Sequence, residues 1–295
     1  MSNEIIIERI LRSVIPVLII ILVGFAYGRL RRPDMDAFNK ICMELLVPIL
    51  IVSVLASKNV DLSEYLALIF GVVFVILGCG ALAAGLCSIT RLQHKTFIPP
   101  MMFTNTGNLA FPLVLLAYGE EAMPSIVVIF LVSQFLHFTL GFYILDRNAK
   151  VINSISLPTI LATFLGIFIA LTPIEVPNVI LIPLDFLANA GITLVLFSLG
   201  VRMQAVTNQD VSTALIGSVA CPAFGIALAF MCKPFLGLNT DQWNVFLLFA
   251  SLPPAVLCYM LAERYNQEPA CVASIVLIGN IASIFWVPLA LALAS

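Results

Sequence analysis

Charge is scarce in this chain. Asp, Glu, Lys and Arg make up 10% of its 295 residues, against roughly a quarter in soluble domains, which excludes a molecule wetted over its whole surface. The net charge of −2 says nothing about nucleic acid, but no basic patch suggests it, and no nucleic-acid partner is expected. The chain lacks a phosphate-binding Gly-rich loop, a His-Glu-x-x-His pair and a Gly-x-Ser-x-Gly elbow. No catalytic constellation therefore marks it as an enzyme, and a primary pump would need its ATPase from another subunit. Both histidines stand alone, and the seven cysteines form no Cys-x-x-Cys pair. No metal or other cofactor is expected, and the cysteines, all in or beside apolar runs, read as small packing residues. No polar stretch is long enough for a soluble domain, a linker or a low-complexity tail.

Apolar sequence fills the chain instead. Hydrophobic residues make up 61% of it, and the mean hydropathy is +1.11. A helix crossing the lipid bilayer takes about 20 mostly apolar residues. Ten candidate spans follow one another at roughly 10–30, 36–56, 65–90, 97–118, 122–145, 153–172, 179–201, 211–235, 242–263 and 269–293. The expected fold is an all-α, multi-pass integral membrane protein. The first apolar stretch is long for a signal peptide, and its heavier positive charge follows it, so it reads as a retained span. Ten of the fourteen Lys and Arg lie after odd-numbered spans: Arg29, Arg31, Arg32, Lys40, Arg91, Lys95, Arg147, Lys150, Arg202 and Arg264. The other side holds Arg9, Arg12, Lys58 and Lys233. The positive-inside rule puts the odd loops in the cytoplasm and both termini outside.

Spans 4 and 9 are interrupted at mid-length, by Asn105-Thr106-Gly107-Asn108 with Pro112 and by Ser251-Leu252-Pro253-Pro254. The interruptions sit 147 residues apart, and sliding the chain on itself by that amount aligns span 1 with 6, 2 with 7, 3 with 8, 4 with 9 and 5 with 10. Tyr118 then falls on Tyr265, Glu121 on Glu268 and Gly78 on Gly225. Residues 1–147 and 148–295 read as two five-span repeats, and because five is odd the second enters the membrane from the opposite side. Matched breaks in an inverted repeat mark the binding site of a secondary transporter.

A break at membrane depth frees backbone N–H and C=O groups that lipid cannot satisfy, so it survives where it lines a cavity. In span 4, Pro99 and Pro100 suit a first helical turn. Gly107 permits positive φ, and Asn tolerates it. Pro112 removes a donor and clashes with the carbonyl of Asn108. The helix is expected to unwind at 105–108 and restart near 109–110. In span 9, Pro253 and Pro254 remove two donors, and the Ser251 hydroxyl can cap. The half-helix N-termini carry partial positive charge that suits an anion, whereas freed carbonyls suit a cation.

Other polar residues lie within spans. Glu44 reads as a proton carrier or gate, or as a side chain snorkelling beside Lys40. Gln134, on span 5, and Asn280, on span 10, are further site candidates, with plain interhelical hydrogen bonding as the alternative, which is preferred for His137. Asp185 and Asn189 read as capping and interface residues of span 7.

These residues carry a family resemblance along the whole chain. Gly24-Phe25-Ala26-Tyr27-Gly28-Arg29, Leu46-Val47-Pro48, Phe103-Thr104-Asn105-Thr106-Gly107-Asn108 with Phe111-Pro112-Leu113, Phe197-Ser198-Leu199-Gly200 and Leu252-Pro253 resemble the auxin efflux carrier family, which includes bacterial malonate-type permeases and plant auxin exporters. The resemblance implies a fold similar to bile-acid sodium symporters, with ten helices in two inverted repeats. Broken helices 4 and 9 would cross at mid-membrane. Helices 1, 2, 6 and 7 would form a scaffold, and 3–5 with 8–10 a moving transport domain. It further implies a homodimer and carboxylate substrates. The loop between spans 5 and 6 is short, as in bacterial members of the plasma (inner) membrane. Plant members have Asn-Pro at the first crossing; here Thr106 follows Asn105, and auxin itself is not implied.

The expected function is transport of a small organic anion by elevator-type alternating access. Asn105, Thr106, Gly107, Asn108, Pro112, Ser251, Pro253 and Pro254 would form the site, with Gln134 and Asn280 nearby. No paired Asp or Glu at the breaks marks a sodium site; sodium coupling, proton coupling through Glu44 and potential-driven uniport all remain compatible. The rival reading is a membrane receptor that binds the anion without net transport.

Overall fold

The structure is a computed structural model that describes residues 3–31, 33–57, 62–90, 92–146, 157–172, 174, 176–203 and 211–294. The loops at 147–156 and 204–210, with Arg147 and Lys150, lie outside the described residues, as do Arg32, Lys58 and Arg91.

The described chain is helical throughout, apart from one isolated bridge between extended residues. Helix α1 covers Asn3–Arg31. Over the second predicted span lie α2 (Asp36–Ile41), a π-helical turn (Cys42–Leu46) and α3 (Val47–Ser57). Next come α4 (Leu66–Thr90) and α5 (His94–Met102), then, after a gap, a π turn (Thr106–Ala110) leading into α6 (Phe111–Tyr118). The fifth span is drawn from α7 (Met123–Leu136), a third π turn (His137–Gly141) and α8 (Phe142–Leu145). In the second half, α9 (Leu157–Leu171), α10 (Asn178–Arg202) and α11 (Val211–Leu236) precede the pair α12 (Thr240–Ala250) and α13 (Val256–Arg264), and α14 (Pro269–Leu293) follows. Among the described residues, six helices are long and apolar enough to cross a membrane; Glu44–Ala56, Thr106–Tyr118 and Pro158–Leu171 are shorter apolar pieces.

Two π turns have a cause in the sequence. Val47 donates its N–H to Cys42 O, the i+5 pairing of a π turn. Pro48 follows directly and offers no N–H to Glu44, while its ring crowds that carbonyl. Widening the helix by one residue relieves the clash. Pro112 stands in the same relation to Asn108 at the end of the second π turn. Pro48, which the sequence presents as a routine kink, therefore does the same local work as Pro112.

Helices α1, α3, α9 and α10 pack on one another, and α11 packs on α4 and α14. The α1–α10 contact depends on two glycines. A Cβ on Gly24 would lie 2.2 Å from Phe197 O, and one on Gly200 would lie 2.0 Å from Ile21 O. The Gly24–Arg29 and Phe197–Gly200 segments are thus two sides of one close backbone approach. Asp185 does not cap α10, which begins two turns earlier at Asn178; instead it accepts a hydrogen bond from Ser53 of α3. All seven cysteines are buried and none is in a disulfide.

Candidate functional site

The two interruptions meet. Helix α5 stops at Met102 and α12 at Ala250, and the extended residues beyond them pair as a short antiparallel bridge between Thr104 and Pro254. Asn105 N–H donates to Pro253 O at 2.8 Å, and Ala255 N–H donates to Phe103 O at 2.9 Å. Each break thus satisfies backbone groups of the other, which replaces the helical bonds both have lost.

The first break starts two residues and ends three residues earlier than its sequence suggests. Unwinding covers Phe103–Asn105, and Thr106–Ala110 is already wound as the π turn. The reason is capping. Asn105 Oδ1 accepts from Asn108 N–H at 3.4 Å, so Asn105 ends the break rather than beginning it. Gly107 is not at positive φ; the glycines that are, Gly119 and Gly237, lie elsewhere. Pro99 and Pro100 sit in the second turn of α5, which starts at His94, not in a first turn.

The second break is made differently. Ser251 does not cap α13, whose N-cap is Ala255 without a side-chain bond. The Ser251 hydroxyl instead donates back to Leu248 O at 2.8 Å and closes α12. Asn280 of α14 ties the two breaks together. Asn105 Nδ2 donates to Asn280 Oδ1 at 2.9 Å, and Asn280 Nδ2 donates to Pro254 O at 3.2 Å and Val276 O at 2.7 Å. His137, in the third π turn, is buried and stacks on Phe103 with ring centroids 4.1 Å apart. Its Nε2 lies 3.7 Å from Cys258 Sγ, so it packs the break from the protein side, as an interhelical residue.

A cavity of about 430 Å³ opens on the other side of the bridge. Its floor is Thr104, Asn105, Thr106, Gly107 and Asn108 from the first break, with Ala255, Val256 and Leu257 from the start of α13. Gln134 and Glu44 reach it too, as does Lys40, one turn before Glu44. Pro112, Ser251, Pro253, Pro254 and Asn280 do not line it; they build the breaks behind it. Its walls include Thr159, Val195, Ser198, Phe130 and Met260. All three π turns contribute lining residues: Cys42 and Glu44, Thr106 to Asn108, and Phe138 at the third. Of the walls, Ser198 lies in a motif quoted above; the aliphatic residues carry no sequence signal.

The electrostatics of the floor are one-sided. The carbonyls of Met101, Phe103, Thr104, Leu252, Pro253 and Pro254 each face a donor of the protein itself. In contrast, the N–H groups of Val256 and Leu257, first in α13, have no intrahelical acceptor, and both residues line the cavity. The N-terminus of α13 thus lies at the floor of the cavity.

Apolar helices and two interrupted ones meeting at a cavity define a multi-pass membrane transporter. The model of a family described as membrane transport protein matches residues 9–154 and 148–291. The chain belongs to that family, the one that includes the auxin efflux carriers. It is 26% identical to an uncharacterised transporter of Methanocaldococcus jannaschii, over 94% of this chain and 96% of that one. An uncharacterised transporter of Methanothermobacter thermautotrophicus is 24% identical over the same shares. Auxin efflux carrier component 3 of Arabidopsis thaliana is 28% identical over 41% of this chain and 20% of its own length.

Proposed function

We propose that this protein is a secondary transporter for a small organic anion, a carboxylate, and works by elevator-type alternating access. One observation carries the choice of anion over cation: the carbonyls of Phe103, Thr104, Pro253 and Pro254 are already bonded, while the N-terminus of α13, whose first N–H groups have no intrahelical acceptor, lies at the cavity. A carboxylate there accepts charge-assisted hydrogen bonds without a buried Lys or Arg. Asn108 and Gln134 flank it, Asn105 and Asn280 hold the crossing in shape, and Lys40 at the rim draws anions in. The same reading takes the chain as ten spans in two inverted repeats, with spans 1, 2, 6 and 7 as scaffold, assembled as a homodimer in the plasma membrane with both termini outside.

The test is flux of acetate, propionate, succinate and phenylacetate into liposomes holding the purified protein, under imposed sodium, proton and voltage gradients. Saturable flux of at least one is expected, and it should be abolished in Asn105→Ala/Asn108→Ala protein that still folds. Binding without flux would favour a receptor. Flux of none, with folded protein, removes the carboxylate. If protons drive transport, Glu44→Gln should remove the dependence on the proton gradient and leave voltage-driven flux.

A further inference from the structure

Among the described residues, two charged side chains line the cavity, Lys40 and Glu44, and they are not paired. On a regular helix a Lys and a Glu four residues apart share one face and meet. Here the π turn begins at Cys42, between them, and its i+5 pairing changes that spacing. The widening that Pro48 brings about thus sits between the two charges. Both residues are exposed, so a solute in the cavity can reach them. Neither makes a hydrogen bond or an ion pair among the described residues.

A free carboxylate on this wall calls for a partner. Charge within a membrane span is costly and persists where it pairs or lines a solute pathway. The floor favours the opposite sign, because the N-terminus of α13 carries partial positive charge and suits a carboxylate. A plain anion would satisfy that end alone. It would also displace water from Glu44 without offering a counter-charge, and a charge left dry and unpaired is destabilising. A ligand with a positive group as well as a carboxylate satisfies both ends. Phe130, Val195 and Met260 leave apolar wall for a short side chain, and about 430 Å³ is near the small end of ligand sites, roughly 300–1,000 Å³.

We infer that the cargo is a zwitterion of the amino-acid type, with its carboxylate at the start of α13 and its ammonium group donating hydrogen bonds to the Glu44 carboxylate. The inference rests on the proposed carboxylate transport and narrows its substrate class. Asn108 and Gln134 are neutral and Lys40 is positive, so Glu44 is the one lining residue, among those described, that attracts an ammonium by charge. The charges of Lys40 and Glu44 cancel, which matches a ligand whose own net charge is zero.

The experiment titrates wild type and Glu44→Gln in detergent with ligands that differ only in the amino group: propionate against alanine and β-alanine, and phenylacetate against phenylglycine. Ethylamine, which is alanine without its carboxylate, is the control. A ligand that binds the folded state raises its apparent stability, so the shift in Tm reads affinity. In wild type, the aminated member of at least one set should bind about tenfold tighter than its plain acid. That is the low end for a hydrogen bond to a charged group, because Glu44 is open to water. Glu44→Gln should bring the aminated ligand to within about threefold of the plain acid and leave the plain acid unchanged or tighter. The wild-type comparison needs no substitution, so it stands even if the variant fails to fold. A Glu44 that serves only as a proton carrier gives another pattern, in which the amino group adds nothing. Equal or weaker binding of every aminated ligand, or a preference that survives Glu44→Gln, overturns the zwitterion and leaves carboxylate transport standing. Ethylamine binding as tightly as alanine, with propionate inert, overturns the carboxylate and the zwitterion with it. A wild type that none of these ligands stabilises also overturns both.

Discussion

The two helix breaks do one job with different chemistry. The first is held by side chains: Asn105 caps the π turn through Asn108 and reaches across to Asn280. The second has no cap of its own and is held by main chain, packing and the Asn280 tie to Pro254 O: two prolines withhold donors, and α13 starts at Val256 after an N-cap, Ala255, that makes no side-chain bond. The difference teaches where each break is vulnerable. The first should fail by losing a polar partner, the second by losing space.

The largest effect is expected at the polar tie. Asn105→Ala strands buried Asn280 Oδ1 and uncaps the part-buried Asn108 N–H, and Asn280→Ala strands the Asn105 amide and Pro254 O. Each should lower stability by about 2–3 kcal/mol, the scale for orphaning a buried polar group. Because the two share one hydrogen bond, the double variant should fall well short of the sum. Thermal unfolding of the four proteins checks this, and strict additivity would mean that the tie does not hold the crossing.

Next comes packing at the second break. A Cβ on Gly225 of α11 would lie 2.0 Å from Ala250 O, backbone that cannot swing aside. A Cβ on Gly107 at the first break would meet only Phe130, at 3.4 Å. Gly225→Ala should therefore destabilise by about 1–3 kcal/mol, as overpacking does. Gly107→Ala should be near neutral, since Ala is the better helix former and Gly107 is not at positive φ. Equal losses at the two sites would erase the contrast.

How far the sequence carries follows from the same contrast. That both segments break was legible, because Asn, Gly and Pro at mid-span have no other economical explanation in lipid. Where the first break lies was not: the sequence shows where a helix weakens, whereas the cap decides where it restarts, and Asn105 turned out to be the cap. Pro48 and Pro112 each follow the last residue of a π turn by two, a spacing readable in hindsight. The turn at His137–Gly141 has no such proline, and the structure offers no local reason for it. Glu44 and Gln134 line the cavity. Asn280 lies behind the crossing, because its amide is spent on Pro254 and Val276.

The smallest effect is expected at Ser251, and it tests the comparison from the other side. If the second break is held by prolines, packing and the Asn280 tie, the hydrogen bond made by its own Ser251 side chain, to Leu248 O, is an accessory. Ser251→Ala removes donor and hydroxyl together and leaves Leu248 O with the Ser251 N–H it already accepts. The loss should be about 1 kcal/mol or less, the net value of an ordinary hydrogen bond. Carboxylate affinity should not change, because Ser251 is fully buried and does not line the cavity. A tenfold or greater loss of affinity would mean that the second break contributes side chains to the site, and the division of labour between the two breaks would have to be abandoned.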